Sequence, residues 1–125
     1  MRQAQTIAPD AEQLHRAALT ALEQFRMHDA VRHLKAAVLM APRRAAFWND
    51  LGVVLEALGH QTEALRCYRT ALDRESGHAE AKENYEALRR QMALAQALRA
   101  QIWRSMMGPA SGVSVAAKCR AAAAS

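Results

Sequence analysis

The chain matches itself at an offset of 34 residues: Ala30, Val31, Leu34, Ala37 and Val38 recur as Ala64, Leu65, Tyr68, Ala71 and Leu72. Upstream, Leu14, Ala17, Ala18 and Ala21 recur as Trp48, Leu51, Gly52 and Leu55. A fixed period of this size means one supersecondary unit stacked on a copy of itself. Each unit buries its apolar face against the next, so a repeat array is built mainly to present a surface. Binding rather than catalysis is the default function of such a chain.

The rest of the sequence agrees with helices. Of 125 residues, 51% are hydrophobic but only 5% aromatic, and Ala is abundant. Small side chains favour closely packed helices over a β-sandwich. The 3 Pro and 5 Gly are few, which again fits helices. A length of 125 residues is that of one domain. No stretch approaches the roughly 18 consecutive apolar residues of a membrane span. The first nine residues carry one charge and no apolar core, so a signal peptide is not expected. Cys67 and Cys119 are the only cysteines, too few for a disulfide framework, and a reducing, cytoplasmic setting is the simpler expectation.

Charge is unevenly distributed. The net charge is +5, yet residues 1–81 hold equal numbers of acids and bases. The excess falls on residues 82–125, where no acid follows Glu86. A basic end raises the question of an anionic partner.

Apolar spacing and punctuation predict five helices. The first opens at Pro9-Asp10 and runs to about Phe25, with Leu14, Ala17, Ala18, Ala21, Leu22 and Phe25 as its stripe. The second runs from near Asp29 to before Pro42, the third from about Arg44 to Leu58, and the fourth from Gln61 to about Glu75. The fifth starts near His78 and meets no Gly or Pro until Gly108-Pro109, a length of about 45 Å. Residues 1–9 are expected to be a loose lead, 10–107 the helical domain, and 108–125 a disordered tail.

The third and fourth helices resemble a tetratricopeptide repeat, whose pattern is Trp-x2-Leu-Gly-x2-Tyr, then Ala-x3-Phe, Ala and Pro. Here it reads Trp48-x2-Leu51-Gly52-x2-Leu55, then Ala64-x3-Tyr68 and Ala71, with Ser76 where Pro is usual. The preceding unit keeps Ala30, Leu34, Ala37 and the closing Pro42, but its turn at Phe25-Arg26-Met27-His28 lacks Gly. The fifth helix starts as a third repeat would, with Ala79, Asn84 and Tyr85 in register. Glu86 then replaces the small residue and Ala93 the turn Gly, as in a terminal capping helix. The resemblance implies an all-α fold of two antiparallel hairpins, about 11–44 and 45–78, in a short right-handed superhelix, with a capping and extension helix over about 79–107.

The resemblance also implies a concave groove, lined by the first helix of each unit, for an extended or helical peptide. Its candidate residues are His15, Arg16 and Leu19, with Glu12 and Glu23, in the first unit. The second unit offers Asn49, Asp50, Val53 and Glu56, with Ala57, and the fifth helix offers Asn84 with Glu83, Ala87 and Arg90. Asn84 matches a groove Asn that hydrogen-bonds a ligand backbone in many repeats. The carboxylate clamp of chaperone-binding repeats needs Lys, Asn and Arg, whereas these positions hold His15, Asn49 and acids. A chaperone C-terminus is therefore not the expected ligand.

Little else suggests chemistry. His28 and His33 are five apart, off the spacing of a helical metal pair, so no metal site is expected. The histidines read as surface residues. Cys67 beside Tyr68 reads as a packing residue, without the base and carboxylate that would activate it. With no Gly-rich phosphate loop and no paired acids, neither an enzyme nor a cofactor is expected.

The far end of the fifth helix is the more pointed feature. Leu94, Leu98, Ile102, Trp103 and Met106 lie beyond what two repeats cover, interleaved with Arg99 and Arg104. Such a surface normally docks something. The candidates are a partner helix, a second copy (a homodimer), or an anionic membrane surface. Alternatively, the helix breaks near Ala95 and folds back. Nucleic acid is disfavoured, because the basic residues have no aromatic stacking platform. The function that follows is a non-catalytic adaptor or assembly subunit binding a protein partner. The alternatives are a secretion-type chaperone and an RNA- or membrane-associated module.

Overall fold

The structure, a computed structural model, describes residues 8–108. The expected lead of residues 1–9 and tail of 108–125 lie almost wholly outside the described residues. Five helices follow in order: α1 (Ala11–Glu23), α2 (Met27–Met40), α3 (Ala45–Ala57), α4 (Gln61–Arg74) and α5 (Ala79–Met106). The described residues fall into two units, one as far as Arg89 and one from Arg90 onward.

In the first unit α1 packs on α2 and α3 on α4, and α2 joins the two hairpins by packing on α3. The contact lines use small residues. Ala18, Ala21, Ala30 and Ala37 are buried in the first hairpin, and Gly52, Ala64 and Ala71 in the second. At Gly52 the approach is so close that a Cβ would sit 2.6 Å from the Tyr68 ring and 3.2 Å from the Ala64 carbonyl oxygen. The ring and that carbonyl occupy the space that any larger residue would need. Larger side chains close the core around these lines: Leu34, Phe47, Val54, Tyr68 and Leu88 are fully buried.

The helix ends repeat with the same period. Asp10 caps α1 in a reciprocal capping box, its carboxylate accepting from the Gln13 N–H while Gln13 Oε1 accepts from the Asp10 N–H, both at 2.8 Å. Arg44 stands at that place before α3. His78 stands there before α5, its Nδ1 accepting from the Ala81 N–H at 3.1 Å. Both hairpins turn in a Schellman motif. After α3, Gly59 adopts φ +88, and the His60 N–H reaches back to the Leu55 carbonyl at 2.9 Å. After α1 the same place is held by Phe25 at φ 59, with the Arg26 N–H on the Ala21 carbonyl at 2.8 Å.

Phe25 therefore corrects the sequence reading. It is not the last member of the α1 stripe but a left-handed turn residue whose ring is 87% exposed. The α1 helix ends two residues sooner because the turn, not the apolar pattern, sets its end.

α5 runs unbroken through Ala95 to Met106, which excludes the expected alternative of a break there. Its first residues belong to the repeat unit: Ala81 packs with Ala45 and Ala71, and Trp48 and Leu72 lie against them. The Trp48 indole N–H donates to the Pro42 carbonyl at 2.9 Å, and Arg74 Nε donates to the same oxygen at 2.9 Å. One carbonyl at the junction of the hairpins is thus held by both α3 and α4.

Candidate partner-binding surfaces

The first helices of the two hairpins and the start of α5 bring one set of side chains to a common face. The register follows the repeat: Leu19, Val53 and Ala87 are 34 residues apart, and so are Arg16, Asp50 and Asn84, and His15, Asn49 and Glu83. Leu19 and Val53 are each 44% exposed, and Ala87 is exposed too. They form an apolar line with small and medium side chains.

The polar residues beside this line are largely engaged with one another. His15 Nε2 donates to Asp50 Oδ2 at 2.6 Å, which ties α1 to α3. The His15 ring also stacks on Phe47, centroids 4.7 Å apart, and the Arg44 guanidinium covers Phe47 at 4.3 Å. Arg44 in turn pairs with Glu12 at 2.8 Å. Asn49 donates to Glu80 Oε1 at 2.8 Å and accepts from Asn84 Nδ2 at 3.0 Å, tying α3 to α5. The Tyr68 hydroxyl donates to Glu56 at 2.7 Å. Burial, with Glu56 as the next cause, pushes the Tyr68 phenol well above its ordinary range, so it stays a donor.

Two sequence expectations change. The repeat register turns Asn49 toward a ligand, but the residue is 0% exposed. A buried amide must be satisfied internally, and Glu80 and Asn84 do this. His15, expected at the surface with the other histidines, is instead half-buried between Phe47 and Asp50. The residue that sequence reasoning misses is Phe47, buried to 1% and adjacent to the Trp48 that the repeat pattern singles out. No periodic signal marks it, since the matching place in the first unit holds the polar Gln13.

Beside these groove residues lies a shallow pocket of about 330 Å³, lined by Val53, Glu56 and Ala57 of α3, Tyr68 of α4 and Asn84 of α5. The groove register is acidic: Glu12, Glu23, Asp50, Glu56, Glu80 and Glu83 stand against Arg16 and Arg90. Glu12 is neutralised by Arg44, but Glu23 and Glu83 are exposed and form no ion pair among the described residues.

A second concavity of about 410 Å³, not foreseen from the sequence, is lined by α2, α3 and α4. Val38, Leu39, Trp48, Leu51 and Leu55 give it apolar walls, and Lys35, Glu63 and Arg66 stand at its polar edge. Cys67 is buried there as a packing residue. Burial, with Glu63 nearby, pushes its thiol up to about 11, so at neutral pH it is protonated and a poor nucleophile.

In the unit from Arg90 onward the helix is exposed almost throughout. Leu94, Leu98, Ile102 and Met106 recur every fourth residue and are 61%, 50%, 57% and 75% exposed. Trp103 is 49% exposed, and Arg99 lies between it and Met106 around the helix. No helix among the described residues is long and apolar enough to cross a membrane.

Antiparallel helical hairpins stacked at a fixed period, closed by the start of a further helix, define a helical-repeat protein. Residues 45–78 match the tetratricopeptide repeat family. That match and the five helices fit a tetratricopeptide-like helical repeat protein. No curated protein matches it. Tetratricopeptide repeats generally mediate protein–protein interaction.

Proposed function

We propose that this protein is a non-catalytic adaptor or assembly subunit that holds a peptide or helix of a partner protein. Two surfaces serve this role: the concave groove along Leu19, Val53 and Ala87, and the stripe of α5 from Leu94 to Met106. The observation that carries the reading is the exposure of that stripe, where five large apolar side chains are each about half exposed or more. Contiguous apolar surface of this kind is costly in water and is normally covered by a partner. In the groove, His15, Asp50, Asn49 and Asn84 act as positioning residues, because their mutual hydrogen bonds hold the three groove helices in register. Leu19, Val53 and Arg16 are the side chains left to meet the ligand, with Glu56 Oε2 beside the oxygen that accepts from Tyr68.

A pull-down with the tagged full chain, washed across a salt series, tests this. A defined protein retained at high salt, and lost with Trp103→Ala or Val53→Lys, is the expected result. The basic residues beyond Glu86 favour one other reading, an RNA- or anionic-surface-associated module. Phosphate contacts weaken steeply with salt through counterion release. Loss of all binding at moderate salt, with nucleic acid or lipid in the eluate, would therefore overturn the adaptor reading.

A further inference from the structure

We infer that the occupant of the concave groove is the basic end of α5 from a second copy of this chain. The inference rests on the reading of that groove as a partner-binding surface. Both halves of the contact are present in one sequence. The groove supplies an apolar line, Leu19–Val53–Ala87, bordered by Glu23 and Glu83, which form no ion pair among the described residues. The end of α5 supplies an apolar line, Leu94 to Met106, with Arg90, Arg99 and Arg104 and no acid. The groove register is mainly acidic and the end of α5 carries bases only, and complementary charge selects a partner as well as speeding its encounter.

Trp103 is the anchor. It is the largest ring on the stripe, and the groove pocket offers Val53, Ala57 and Tyr68 as walls with Glu56 as an acceptor for an indole N–H. The second concavity is a poorer receiver, because two bases, Lys35 and Arg66, stand at its edge against the single acid Glu63 and would face Arg99 and Arg104. Charge therefore decides between two surfaces of similar size.

The test uses the full chain. Sedimentation across a concentration series reads self-association, and a labelled peptide of residues 90–107 is titrated into full-length Trp103→Ala protein. Wild type is expected to self-associate, with Trp103 fluorescence shifting to the blue. Trp103→Ala and Val53→Lys should each weaken association by about tenfold or more. Leu39→Lys, at the edge of the other concavity, should not weaken it. Val53 and Leu39 are both exposed, and helical circular dichroism checks that these variants fold. Glu83→Lys on the exposed acidic border is a second groove variant and should weaken peptide binding severalfold.

A monomer at every concentration with no peptide binding overturns the inference, as does loss of association with Leu39→Lys in place of Val53→Lys. A control peptide of equal length and charge, amphipathic but unrelated, separates the two readings. Binding of the control and not of 90–107, abolished by Val53→Lys, removes the second copy as occupant and leaves the groove reading standing. Failure of both peptides removes the second copy as occupant, and the pull-down then decides the groove reading.

Discussion

Phe25 shows how one side chain can be misread from its neighbours. Its spacing from Leu14, Ala18, Ala21 and Leu22 suits a helical stripe, but its backbone is left-handed and its ring is in solvent. The left-handed conformation costs a residue with a Cβ about 1–2 kcal/mol, and Gly avoids this at some cost in chain entropy. Phe25→Gly should therefore stabilise the fold by roughly 1 kcal/mol, read as a rise in Tm of about 4–8 °C. An unchanged or lower Tm would mean that the ring contributes packing the structure does not show. The repeat offset contained the clue, since Phe25 aligns with Gly59. Gly52 was legible for the opposite reason: a Gly inside a helix is unfavourable unless a close approach requires it, and the Tyr68 ring supplies that approach.

Helices were the most legible elements. Pro42, Gly59 and Gly77 punctuate the chain, and the observed starts fall at a constant offset behind Asp10, Arg44 and His78. What spacing does not reveal is which polar residues an element commits to its neighbour. Asn49 was legible as a first-helix residue but not as the buried link from α3 to α5. Asn49→Ala would remove its hydrogen bonds to the exposed Glu80 and the half-buried Asn84, and at about 0.5–1.5 kcal/mol for each bond the loss is about 1–3 kcal/mol. Urea unfolding should show a loss of that size. A neutral substitution would show that α5 is held by Ala81 and Leu88 alone.

α5 serves two purposes in succession. Leu88 is fully buried, whereas Leu98 is 50% exposed on the same helix. Leu88→Ala should cost about 2–5 kcal/mol, and Leu98→Ala, measured at a concentration where the chain is monomeric, no more than about 0.5 kcal/mol. Thermal unfolding of the two variants checks this, and equal losses would mean that the stripe beyond Arg90 is part of the core. The distribution of charge has a matching split. Residues on the groove register are mainly acidic, while the chain as a whole carries +5. Net charge is thus a poor guide to what this molecule attracts at a given face. Periodicity, punctuation and the small residues at 18, 30, 37, 52, 64 and 71 were enough to establish an all-α array of hairpins, because they encode local helix formation and the distance at which two helices can cross. The pairing of His15 with Asp50, the burial of Asn49, the left-handed Phe25 and the concavity beside Trp48 needed the folded chain. Each depends on atoms that approach from residues far apart in sequence, or on a turn whose conformation is imposed by the helices it joins, and no local pattern carries that information.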